Sequence, residues 1–153
     1  MPDQFSVDGD VAIVTGASRG IGRATAEAFA ADGVDVAICS RDESEITTAA
    51  DEIGEAHPGD AVGVACDVRD EDAVSALVAA AVDEFGGLDV LVNNAGASFM
   101  SSFTDISPNG WESVVDVNLT GTYNCTQAAA DELAEGGGSV VNVASVAGQD
   151  GAP

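Results

Sequence analysis

Lysine is absent from this 153-residue chain, and arginine supplies all four basic side chains against 27 Asp and Glu, a formal net charge of −23. A surface so poor in cations cannot neutralise a run of phosphates, which excludes a nucleic-acid backbone as a partner. An anionic membrane surface is excluded on the same ground. Long apolar runs are also missing: none approaches the ~18 residues of a membrane span, and no signal-peptide pattern opens the chain. The three cysteines, Cys39, Cys66 and Cys125, are odd in number and well separated. That suits a reducing cytoplasm better than a disulfide framework or a metal site, so a cytoplasmic location and no metal are expected. The single histidine, His57 beside Pro58-Gly59, reads as a loop residue rather than a ligand or base.

What the chain does have is apolar content: 46% of it is hydrophobic, so it is no disordered acidic tail. Its length suits one domain with a core of its own. The acidic excess has two readings, a surface for a cationic partner or adaptation to high salt. The acids are dispersed along the whole chain, which favours a salt-adapted source.

Short β-branched runs alternate with longer Ala-, Glu- and Asp-rich stretches. The runs at Val11 to Val14, Val34 to Ile38, Ala61 to Val64, Leu88 to Val92 and Val140 to Val143 predict strands buried on both faces. Val74, Leu77, Val78, Ala81, Val82 and Phe85 follow the i, i+3/i+4 spacing of a buried helical stripe. Asp42 with Glu45, Asp70, and Ser107-Pro108 read as helix starts. The last opens a helix predicted from about Asn109 to Glu135, closed by Gly136-Gly137-Gly138. Strands alternating with helices give a doubly wound parallel sheet, without linker, repeat or second domain.

Thr15-Gly16-Ala17-Ser18-Arg19-Gly20-Ile21-Gly22 falls between the first strand and the first helix. Three glycines at that turn let the backbone approach a pyrophosphate, whose charge then faces a helix N-terminus. The spacing is G-x-x-x-G-x-G rather than the more common G-x-G-x-x-G. This segment resembles the cofactor motif of the short-chain dehydrogenase/reductase family. Asn93-Asn94-Ala95-Gly96 after the fourth strand resembles that family's second signature. Asp67-Val68, Asn118 and Ser145 also fall where the family places functional residues, and the resemblance runs from about Val7 to Gly148.

The resemblance implies a Rossmann-type sheet of strand order 3-2-1-4-5 and a single NAD(P)-binding domain over residues 1–153. It implies that Gly16, Ser18, Gly20, Ile21 and Gly22 line the pyrophosphate. Asp67 would accept a hydrogen bond from the adenine amino group, with Val68 packed nearby. Asn94, Ala95 and Gly96 would border the ribose, while Asn93 ties neighbouring strands together. Cofactor choice turns on the end of the second strand, where NAD-dependent enzymes place an acid for the ribose 2′-hydroxyl. Here Cys39-Ser40-Arg41 precedes the first acid, Asp42. Ser40 and Arg41, with Arg19 from the glycine loop, suit a 2′-phosphate, so NADP is expected in preference to NAD. The blander reading of Arg41 is a solvated loop cation. Arg69 lies near the adenine end and Arg23 one turn into the first helix.

The family moves a hydride between nicotinamide and an alcohol or carbonyl carbon. Its Tyr acts as proton carrier beside a Lys, a Ser polarises the carbonyl and an Asn anchors a relay water. Ser145 and Asn118 match the Ser and the Asn. Tyr123 reads as a core aromatic, Trp111 and Phe85 as core or helix-packing residues, and no Lys exists to complete a Tyr-x-x-x-Lys pair. Phe99, Met100 and Phe103 read as packing residues before pocket residues. The expectation is an oxidoreductase domain cut short after its fifth strand, which becomes a sheet edge exposing Val140, Val141 and Val143, and inactive as it stands. Its substrate would be a small carbonyl or alcohol, a 3-oxoacyl thioester among the candidates, and its full-length form a homo-oligomer. The alternatives are a non-catalytic dinucleotide-binding module or an inactive fragment.

Overall fold

β1 (Val11–Thr15) lies at the centre of a five-stranded parallel sheet in a computed structural model that describes Val7 and residues 9–149. Around it stand β2 (Asp35–Ser40), β3 (Ala61–Ala65), β4 (Val90–Asn93) and β5 (Ser139–Asn142), in the order β3-β2-β1-β4-β5. The doubly wound parallel sheet is the one the alternating pattern predicts, and its strand order is the one the resemblance implies. One row across the sheet reads Gly63, Ile38, Val14, Val92, Val141.

Helices cover both faces because strand residues alternate in direction. Ala12, Val14, Val36, Ile38 and Val92 face α1 (Gly20–Ala31) and α2 (Glu43–Ala56), burying Ala26, Ala30, Ile46 and Ile53. Val11, Ile13, Ala37 and Leu91 face α3 (Glu71–Phe85) and α5 (Gly121–Gly136), against Val74, Leu77, Ala81 and Leu133. Each fully buried Leu or Ile contributes about 1.5–3 kcal/mol. Close helix–sheet approach depends on missing side chains: a Cβ on Gly63 would stand 2.5 Å from the Ile46 carbonyl oxygen.

The helix starts follow the sequence signals. Asp42 accepts from the Glu45 amide at 2.9 Å, Asp70 from Asp72 and Ala73, and Ser107 from Gly110. Gly86 closes α3 in the left-handed conformation, at φ 90°.

Three expectations are corrected. The helix predicted from about Asn109 to Glu135 is α4 (Pro108–Val115), a π turn (Asp116–Thr120) and then α5. The Asn118 side-chain amide donates to the Val114 carbonyl at 2.9 Å, taking the acceptor its backbone amide would use in an α-helix. The ladder steps out one residue, and the Gly121 amide donates to Asp116. Second, burial on both faces holds for β1 and the middle of β2 but not for β3, which is half-buried to exposed along its length, while β5 is exposed throughout, as expected of an edge strand. Third, Tyr123 and Trp111 are not core residues, being 57% and 62% exposed, and Phe99, Met100 and Phe103 are exposed as well. Phe85 does pack against the core.

Candidate functional site

From β1 the chain crosses to β2 and β3 on one flank, and after β3 it crosses back to β4 on the other flank of β1. Such a switch point opens a crevice at the carboxyl ends of the strands. Here the crevice is a cleft of about 340 Å³ walled by the loops after β1, β2, β3 and β4.

Its first wall is the glycine-rich turn. Gly16 and Gly20 both have positive φ, 64° and 62°. A Cβ on Gly16 would stand 2.9 Å from the Ala95 Cα, and one on Gly22 would stand 2.5 Å from the Gly16 carbonyl oxygen. The turn therefore has to be glycine for both conformation and space. It delivers the chain into α1, whose N-terminus has no side-chain cap and no acid in its first turn. In a chain with 27 acids, that leaves a helix end with open N–H groups and no anion of its own beside it.

A latch fixes this wall to the loop after β4. The buried Thr15 hydroxyl accepts from the Asn94 and Ala95 amides at 3.0 and 2.9 Å. The Asn94 side chain donates back to the Thr15 and Gly16 carbonyls at 3.0 and 3.1 Å. Asn93 points away from the cleft system and donates to Asn142 on β5 and Thr126 on α5, the tie between strands expected of it.

At the far end the arginines divide. Arg23 is held by Glu27 and Glu52 and does not line the cleft. Arg69 forks onto Asp67, its Nη2 reaching Oδ2 at 2.6 Å and its Nε reaching Oδ1 at 2.9 Å. That guanidinium, helped by Arg41, holds the Asp67 carboxyl below its usual range. The expected free acceptor is thus already engaged by an arginine. Arg19 and Arg41 also line the cleft, and neither forms a salt bridge among the described residues.

Of the sequence-derived cofactor residues, Gly16, Ser18, Arg19, Ser40, Arg41, Asp67, Val68, Asn94, Ala95 and Gly96 all line this one cleft. Gly20, Ile21 and Gly22 sit in the adjoining turn and first helical turn without lining it, and Ile21 is exposed. Asn118 stands beside the cleft rather than in it: its amide donates to the Ala97 carbonyl at 2.7 Å and its oxygen accepts from the Ala97 amide at 3.2 Å. Ser145 is exposed on the loop after β5, where its hydroxyl accepts from the Ala147 amide, and it does not line the cleft. Sequence reasoning missed Cys39, Cys66, Ala97, Ser113 and Val117. The two cysteines end neighbouring parallel strands, a usable signal, whereas Ser113 and Val117 reach the cleft only through the path of α4 and the π turn.

A parallel sheet of this order, with a glycine turn feeding a helix at its switch point, defines a nucleotide-binding α/β domain. The family model described as short chain dehydrogenase matches residues 10–153, and the chain belongs to that family. It is 41% identical over 147 residues to a 3-oxoacyl-[acyl-carrier-protein] reductase of Synechocystis sp., covering 94% of this chain and 58% of the relative. It is 43% identical to the short-chain reductase protein NovJ of Streptomyces niveus, covering 93% of this chain and 54% of that protein. A solved Sinorhizobium meliloti structure, assigned as a short-chain alcohol dehydrogenase, superposes with a TM-score of 0.90 at 38% identity. That match covers 97% of this chain and 59% of the solved one. The chain therefore spans somewhat over half the length of the relatives it matches.

Proposed function

We propose that this chain is the dinucleotide-binding part of an NADP(H)-dependent oxidoreductase that interconverts a small alcohol and its carbonyl. The observation that carries the cofactor choice is the placing of cations. Two of only four arginines, Arg19 and Arg41, stand in the cleft without an acidic partner among the described residues, and the end of β2 has no acid before Asp42. Ser40 and Arg41, with Arg19, hold the 2′-phosphate. Gly16, Ser18, Gly20, Ile21 and Gly22, with the open N-terminus of α1, hold the pyrophosphate. Val68 and Asp67 border the adenine, and Asn94, Ala95 and Gly96 the ribose.

A bound nicotinamide supplies or accepts the hydride. On the protein side, Ser145 polarises the carbonyl oxygen, and Asn118 acts as a positioning residue that fixes the loop after β4. The chain contains no Lys, so a Lys-assisted tyrosine cannot be assembled from its own residues. The 153-residue polypeptide binds the cofactor and has no carbonyl-reducing turnover by itself. The relatives named 3-oxoacyl-[acyl-carrier-protein] reductase support a 3-oxoacyl thioester as the substrate of the corresponding full-length enzyme. The dispersed acids support a salt-rich setting, and the three free cysteines a reducing one.

Calorimetric titration with NADPH and NADH tests this reading. NADPH binds tighter, and Arg41→Ala weakens it roughly 10- to 100-fold, the equivalent of about 1.5–3 kcal/mol for a charge-assisted contact, while NADH changes little. Equal affinity for the two cofactors, or an equal loss for both, refutes the assignment to NADP. NADPH-dependent reduction of a carbonyl by the purified polypeptide refutes the absence of turnover.

A further inference from the structure

The turn after β3 is tied down along its length. The Val68 carbonyl accepts from the buried Asn124 side-chain amide at 3.0 Å, and the Asp70 amide donates to the Asp67 carbonyl at 2.9 Å. The Asp67 carboxylate folds over the same turn and accepts from the Arg69 amide at 3.0 Å. With the backbone fixed in this way, the Arg69 guanidinium turns back onto the carboxylate two residues before it.

That fork occupies the acid. Oδ1 accepts from the Arg69 amide and from Nε, at 3.0 and 2.9 Å, while Oδ2 accepts from Nη2 and from Nε, at 2.6 and 3.1 Å. Asp67 is the only carboxylate among the residues that line the cleft. The guanidinium, by contrast, keeps donors to spare. Nε and Nη2 are committed, but Nη1 has no acceptor among the described residues, and the side chain is 39% exposed where it lines the cleft. Arg41 adds its charge on the same side. What stands open at this end is an array of N–H donors rather than an acceptor.

We propose that a purine base in this cleft is read by the Arg69 guanidinium as a donor, with Asp67 as the residue that positions it, rather than by Asp67 as an acceptor. A base at the β3 end of the cleft follows from the cofactor reading above, on which this proposal rests. The two alternatives differ at one position of the base. The 6-amino group of adenine needs an acceptor, whereas the 6-oxo group of hypoxanthine is itself one. O6 and N7 of a 6-oxopurine form the acceptor pair that a guanidinium matches, and adenine offers N7 alone beside a donor. The site accordingly takes a 6-oxopurine dinucleotide at least as readily as an adenine one, and its selectivity comes from the phosphates.

Calorimetric titration with NADPH and with deamino-NADPH, in which hypoxanthine replaces adenine, tests this. The two ligands carry the same phosphates, so the ratio of their affinities reports on the base alone. In the parent chain the deamino form binds as tightly as NADPH or tighter. Arg69→Ala frees Asp67 for the amino group, and the ratio moves roughly tenfold in favour of NADPH, the size of one hydrogen bond to a charged group. A parent chain that prefers NADPH by more than about threefold overturns the proposal, because Asp67 then accepts from the amino group. So does an unchanged ratio in an Arg69→Ala chain whose circular dichroism matches the parent. A chain that binds neither ligand refutes the cofactor reading itself.

Discussion

Thr15 shows how one side chain can hold two walls of a cleft together. Its hydroxyl accepts two amides from the loop after β4, so replacing it with the near-isosteric valine leaves both N–H groups without an acceptor. Each orphaned group costs about 1–3 kcal/mol. Thr15→Val therefore loses about 2 kcal/mol or more, measured by urea denaturation, while Thr15→Ser keeps the latch and loses less. A valine variant as stable as the serine one contradicts this account. The Asp67–Arg69 pair makes a prediction about pH. The arginine depresses the folded-state pKa of Asp67, so its contribution is present above the unfolded value of about 3.9 and disappears as pH falls through the folded value. Arg69→Gln is less stable than the parent near neutral pH, and the two converge in acid. A stability difference that stays constant down to acid pH rules out the Asp67 carboxylate as its source. Gly16, Arg41 and Asn94 of the cleft were legible in the sequence because each sits beside a strand end in a local motif. Ser113 and Val117 were not, since they reach the cleft only through the path of α4 and the π turn.

At the scale of elements, the strand and helix order could be read because period, caps and breakers agree locally: Asp42, Asp70 and Ser107 cap the helices they precede. The break in the long helix could not, because its cause is the Asn118 side chain bonding to Val114 and to Ala97 from another loop. The exposure of β5 was legible, since among the described residues it pairs with β4 alone and an edge strand leaves Val140 and Val141 uncovered. Gly121, the first residue after the π turn, tests how tightly that junction packs. Helix propensity alone favours alanine there by about 1 kcal/mol. A Cβ would nevertheless stand 2.5 Å from the Val68 Cγ2 and 3.1 Å from its Cβ, and Val68 is buried. Gly121→Ala is accordingly destabilising by about 1–3 kcal/mol. Gly136→Ala, where the nearest atom is Asp89 Oδ1 at 3.7 Å, is neutral or stabilising. Thermal melts of both variants, with Gly121→Ala/Val68→Ala as the relieving double variant, decide the matter. Two single variants of the same sign leave the packing argument without support.

The whole molecule is governed by its charge. With 27 acids and four arginines, most carboxylates have no cation to meet, and the described residues hold only three distinct carboxylates in salt bridges, Glu27, Glu52 and Asp67. The remaining charges repel one another over the surface, and folding brings them closer than the unfolded chain does. The reach of that repulsion is set by solvent: the screening length is about 10 Å at 0.1 M salt and about 3 Å at 1 M. Salt also weakens the exposed ion pairs, but three arginine contacts are a small loss beside the relief of the remaining negative charge. The midpoint of thermal unfolding consequently rises between about 0.1 M and 2 M potassium chloride. It rises less in a variant whose exposed Glu43, Glu55 and Glu71 are changed to Gln, because part of the repulsion is already gone. On the proposed cofactor site the salt dependence of binding is the opposite, since Arg19 and Arg41 would attract phosphates through the same screened field. A midpoint that falls with salt, or rises equally in the neutralised variant, removes surface repulsion as the term that limits this fold.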